Sequence, residues 1–165
     1  MLCAVAMCAL LLAPAAGADT KRIVDTPAHD SQSDFDIKWI KHGHDGRKLT
    51  HVISTYETWR TRELGENHFQ INISPGDSDP SLRRILVIWL DGSELKAKMM
   101  DVSNGSEVVG YPPVSRPTAR SVKVTMPKRY IRRGLQAYRW QAFVADQQVD
   151  DMVPSDESFI LHRVN

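Results

Sequence analysis

An all-β, antiparallel sandwich of jelly-roll-like type is the fold class this chain predicts. Three observations carry it. Short apolar-alternating runs recur at even spacing, Asp-Gly and Asn-Gly pairs or Pro clusters separate them, and no apolar pattern of helical period runs long enough for a core helix. At 165 residues the chain has the length of one domain.

The first eighteen residues carry no charge and stop at Asp19. Ala4–Ala13 forms an apolar core, and Ala16 and Ala18 are small residues at the positions a signal peptidase reads. These features predict an export signal over 1–18 cleaved before Asp19, and hence a secreted chain with no membrane span once the leader is gone. The Ala, Gly and Pro of the leader's second half suit a spanning anchor poorly. Both cysteines, Cys3 and Cys8, lie in this leader. The remaining chain therefore has no disulfide framework, no zinc–thiolate site and no cysteine nucleophile.

Residues 19–34 are polar and predict a flexible lead-in, so the sandwich domain is expected over 35–165. Its opening stretch, 35–59, reads as two strands joined by a tight His-Gly-His-Asp-Gly turn, with Asp45-Gly46 supplying the positive-φ chemistry. Its alternation is imperfect: Ile37 and Trp39 point one way, Lys38 and Ile40 the other. Asn67–Ser74 alternates strictly, with Phe69, Ile71 and Ile73 on one side. Arg83–Leu90 is a nearly continuous apolar strand, Asp91-Gly92 a turn, and Glu94–Asp101 the return. Val108–Tyr111 is short and runs into Pro112-Pro113, which predicts an edge strand. Ser121–Met126 alternates again. Pro127 and the five residues after it predict one helical turn, and 136–145 and 158–164 close a set of nine strands.

The motif F-D-I-x-W-I-x-H-x-H-D-G-R-x-L-x-H over residues 35–51 carries a family likeness, supported by F-Q-I-N-I at 69–73, R-S-V-K-V-T-M-P at 120–127 and Y-R-W-Q-A at 138–142. Together these resemble secreted bacterial sandwich modules related to family 9 carbohydrate-binding domains and DOMON domains. The resemblance implies a sandwich fold and sugar binding, or haem binding as in some DOMON domains. It transfers no ligand residue: no Met/His pair stands at haem-ligand positions, and no aromatic platform can be aligned.

Candidate sites follow from residue chemistry. His42, His44 and His51, with Asp45 beside them, offer imidazole donors suited to Zn²⁺ or Cu²⁺, against the alternative of a polar hairpin turn whose histidines are solvated or hydrogen-bonded across the strands. Asp77 and Asp79 in P-G-D-S-D-P place alternating carboxylates as short calcium loops do, but the EF-hand spacing is absent and Asp is an ordinary turn former. No motif demands a cofactor, and Ca²⁺ or Zn²⁺ are the ions these donors would suit.

The net charge of +1 predicts no global attraction to nucleic acid or membrane, yet the charge is unevenly placed. Between Val108 and Ala145 there are eight basic residues and no acid, whereas 146–157 holds five acids and no base. The blocks either neutralise each other or leave Lys128, Arg129, Arg132 and Arg133 as an anion-recognising patch. Trp39, Trp89 and Trp140 sit mid-strand and are expected in the core. Trp59, with Tyr56 near it, is the aromatic expected to be exposed for sugar stacking.

No G-x-S-x-G or H-E-x-x-H motif is present. The leading expectation is a secreted, non-catalytic binding module for a carbohydrate or other cell-envelope ligand, an anionic wall polymer among them. A structural or protein-interaction domain without a small ligand is the alternative, and a metal-dependent or glycan-cleaving enzyme comes third.

Overall fold

A computed structural model describes residues 20–25, 35–77, 83–145, 149–154 and 158–164. The leader predicted over 1–18 lies outside these residues, as does Asp79. Two antiparallel sheets pack face to face, so the sandwich expectation holds, and no α-helix occurs among the described residues. Among the described residues there are twelve strands rather than nine: β1 Thr20–Val24, β2 Ile37–Asp45, β3 Lys48–Thr55, β4 His68–Pro75, β5 Arg84–Asp91, β6 Glu94–Asp101, β7 Glu107–Gly110, β8 Val114–Thr118, β9 Ser121–Pro127, β10 Ala137–Ala145, β11 Val149–Val153 and β12 Ile160–Arg163.

One sheet has the order β1-β2-β3-β9-β8 and the other β11-β10-β4-β5-β6-β7. The nine-residue β10 is long enough to hold two partners on one side: β12 pairs with Ala137–Trp140 and β11 with Ala142–Ala145. The three strands that sequence reading missed, β1, β8 and β11, all lie at sheet edges. Residues 19 and 26–34 lie outside the described residues, and over 20–24 the expected flexible lead-in is instead β1. Its residues are mostly exposed and it is held by pairing with β2 from Thr20↔Gly43 to Val24↔Trp39, so backbone hydrogen bonds rather than an apolar stripe define it.

The imperfect alternation of the opening strand has a structural cause. The β2–β3 register shifts between Ile37 and Trp39, and this irregularity lets both Ile37 and Ile40 point inward, each fully buried. Beyond it the phase is regular: His42 and His44 follow Ile40 into the interior while Trp39 and Lys41 face outward. In β3 the inward set is Leu49, His51 and Ile53, and in β9 it is Val122, Val124 and Met126. The opposing sheet contributes Phe69, Ile71 and Ile73 from β4, Leu86 and Ile88 from β5, and Tyr138, Trp140, Ala142 and Val144 from β10. These side chains interdigitate as one contiguous core.

The turn after β2 is shorter than expected. β2 runs to Asp45 and β3 starts at Lys48, so only Gly46 and Arg47 turn the chain, with Gly46 at φ 49°. His42 and His44 are therefore strand residues, not turn residues. The helical turn expected after Pro127 is present as a 3-10 turn over Lys128–Tyr130.

Candidate functional site

Two arrangements stand out, one at the surface and one inside. The surface arrangement is the basic end of the sandwich. Register pairing of Lys48 with Pro127 sets the β2–β3 turn beside the 3-10 turn, and the Lys128 amide donates to the Arg47 carbonyl at 2.9 Å. The chain then turns through Gly134, at φ 65°, before entering β10. Arg47, Lys128, Arg129, Arg132 and Arg133 thereby surround a cavity of about 320 Å³ that no carboxylate lines. All but the half-buried Lys128 are exposed. Among the described residues none of the five has an ion-pair partner. Of the acids in 146–157 that could neutralise this end, only the Asp151 side chain is among the described residues; Arg47 from a different hairpin joins the four basic residues that sequence reading named.

The interior arrangement is a histidine cluster. His42 and His51 are cross-strand partners in β2 and β3, and Tyr138 and His162 are cross-strand partners in β10 and β12. Packing the sheets brings the two pairs together, with His44 and Trp140 completing the group. The His42 ring lies 4.2 Å from that of His162 and 4.8 Å from that of Trp140, centroid to centroid. His44 Nδ1 lies 3.2 Å from His162 Nε2, and the Tyr138 hydroxyl lies 3.4 Å from His51 Nε2. Four of the six histidines are thus buried here, which replaces the solvated-turn alternative.

Burial dominates the electrostatics of this group. Desolvation, followed by the nearby His51, His162, Lys21 and His44, lowers the His42 pKa to about 2. Desolvation and then His162 lower that of His51 to about 3. Desolvation also raises the Tyr138 phenol well above its ordinary value, so this hydroxyl stays protonated. Both imidazoles are therefore neutral at pH 7, with lone pairs free of protons. The two ring nitrogens of His42 have no hydrogen-bond partner, nor has His51 Nδ1.

A third feature joins the sheets at the β1–β2 edge. Asp25, Asp36 and Asp151 are buried, and one oxygen from each lies within 4.8 Å of the others. The Ile37 amide donates to Asp151, which ties β2 to β11 across the sandwich. Oxygen donors of this kind suit a hard cation such as Ca²⁺ or Mg²⁺.

The remaining expected site residues are dispersed. Trp59, expected at the surface, is 3% exposed: it packs edge-on to Phe35 and tilted against Phe69, while the Arg116 guanidinium covers its ring at 3.7 Å. It offers no face to a sugar. Tyr56 is half-buried beneath Lys38. Asp77 is exposed, with its carboxylate 3.7 Å from Arg163 and its carbonyl accepting from Arg139. Trp140 is in the core as expected, but Trp39 and Trp89 are half-buried on the outer faces. Trp39 lines a cavity of about 420 Å³ over the five-stranded sheet, where its partner is the Arg22 guanidinium, 4.8 Å above the ring. No second tryptophan or tyrosine lines that cavity.

Sequence reading did not join His162 and Tyr138 to the histidines, Arg47 to the basic run, or Asp25 and Asp151 to Asp36. Strand pairing and sheet packing bring these groups together, and no local motif marks such partners. No protein-family profile, curated protein or solved structure matches the chain.

Proposed function

We propose that this chain is an exported, non-catalytic binding module for an anionic carbohydrate or wall polymer, held at the basic end of the sandwich. One observation carries the reading: five cationic side chains from two turns surround a cavity without a carboxylate among its lining residues. Cations held this close repel one another, and a polyanion relieves that repulsion. Arginine predominates, and its planar fork of donors matches carboxylate, sulfate and phosphate groups. The uncharged leader over 1–18 supports export. A neutral sugar has weaker support, because the Trp39 cavity offers one indole already paired with Arg22.

The test compares dextran sulfate with uncharged dextran, which differ only in the anionic group. The purified chain is expected to bind the sulfated polymer and not the neutral one, with affinity falling as salt rises from about 0.05 to 0.5 M and the Debye length shrinks. Arg132→Ala combined with Arg133→Ala should weaken binding. Lys96→Ala, which removes an ion pair to Asp91 elsewhere, should not. Equal retention of both polymers near 0.15 M salt would refute the proposal.

A further inference from the structure

We propose that His42, His44 and His162 form an interior binding site for a late first-row transition-metal ion, with copper preferred over zinc. The first support is spacing. Two nitrogens bonded to one metal at roughly 2.0–2.1 Å and near-tetrahedral angles lie about 3.3 Å apart. His44 Nδ1 and His162 Nε2 are already 3.2 Å apart. In the metal-free chain the same spacing holds a hydrogen bond; when metal enters, the donor ring carries its proton on its other nitrogen, so each ligand remains a neutral imidazole.

The second support is His42, independent of that pair. Its side chain is fully buried, yet both ring nitrogens lack a hydrogen-bond partner. Native interiors rarely leave such groups unpaired, and each one costs about 1–3 kcal/mol when they do. The ring sits 4.2 Å from that of His162, within reach of the same ion. The three rings do not yet present one nitrogen each within 4.8 Å of the others, the only such set among the described residues being the aspartate group. A half-turn of the His42 ring about Cβ–Cγ exchanges nitrogens and carbons inside nearly the same envelope. No hydrogen bond opposes that turn.

The donor set selects the ion. Three neutral imidazoles without oxygen or sulfur ligands disfavour Ca²⁺ and Mg²⁺ and suit copper, zinc and nickel, and the intrinsic affinity order places Cu²⁺ above Zn²⁺. At 8% exposed, His44 is the most accessible of the three and gives the ion its way in. His51 stays outside the set, because its Nε2 faces the Tyr138 hydroxyl.

The full chain, stripped with chelator, is titrated with Cu²⁺ and separately with Zn²⁺ against a chromogenic competitor. One ion per chain is expected, with Kd below about 1 µM for copper. His44→Gln and His162→Gln should each weaken binding by at least about 100-fold, since loss even of outer-shell partners costs up to that much. His51→Gln and His68→Gln should bind as the parent does. Melting curves and circular dichroism of the metal-free variants check folding. Should the ligand variants unfold, the Cu²⁺ resonance spectrum of the parent chain decides, with three coupled nitrogens expected. Failure of both metals to bind, parent-like binding by folded His44→Gln and His162→Gln, loss of binding in His68→Gln, or fewer than three coupled nitrogens would overturn the proposal.

Discussion

Acidifying the metal-free protein tests the interior most directly, because His42 and His51 are neutral in the fold and protonate freely in the unfolded chain. Their ordinary pKa is 6.5, against about 2 and about 3 in the folded state. Below pH 6.5 the unfolded chain binds more protons than the folded one, so stability falls as pH falls. The loss continues until the folded-state values are reached. Each histidine contributes a slope of about 1.4 kcal/mol per pH unit, or roughly 2 kcal/mol lost by pH 5. For the pair the loss at pH 5 is about 4 kcal/mol, a large share of the roughly 5–15 kcal/mol that holds a domain folded.

The assay is urea unfolding of chelator-treated protein from pH 7.5 to 4.5, with extrapolated stability plotted against pH. His51→Leu sharpens it. At pH 7 this variant should be less stable by about 1 kcal/mol or more, since the Tyr138 hydroxyl loses its partner. Its pH slope should be half that of the parent, so a deficit of about 1 kcal/mol makes the two curves cross between about pH 6 and 5.5, and a larger deficit moves the crossing to lower pH. Parent stability that stays flat from pH 7 to 5, or a His51→Leu slope equal to the parent's, would refute the claim that these imidazoles are buried and neutral.

Two further substitutions probe packing. A Cβ at Gly110 would lie 2.5 Å from Tyr130 Cζ, so Gly110→Ala should destabilise by about 1–3 kcal/mol in thermal melts, and adding Tyr130→Val should recover most of that loss. Arg116 donates to the carbonyls of Trp59 and Ala119 at 2.6 and 2.7 Å while covering the Trp59 ring. Lysine cannot hold this fork, so Arg116→Lys should cost about 1–3 kcal/mol and change the indole fluorescence. Unchanged emission and stability would show that the stacked arrangement does not form.

The strands that pattern reading located are those with an inward apolar row, such as Phe69–Ile71–Ile73 and Val122–Val124–Met126. The strands it missed are at sheet edges. β1 buries little, β8 contains Pro117, and β11 lies in an acidic run whose Asp151 turns inward to meet the Ile37 amide. Backbone pairing holds such strands, and pairing leaves no periodic trace. Trp59 misled for a related reason. Its neighbours Thr and Arg are surface residues by type, but Arg116 folds back over the indole and closes it from solvent.

What the sequence alone determined is the fold class, the place of the main turns and the chemistry available: histidines near residue 45, a basic run after Pro127, and no thiol beyond Cys8. Alternation and turn chemistry are local, and local rules suffice for those. Only the tertiary structure decided which groups meet. The irregularity at Ile37 sets the phase that turns His42 and His44 inward. Register pairing carries His162 in on β12 beside Tyr138. The tight Gly46-Arg47 turn adds a fifth cation to the basic end. Each of these depends on partners tens of residues away, held by sheet register and by the packing of two faces, which no stretch of sequence encodes by itself.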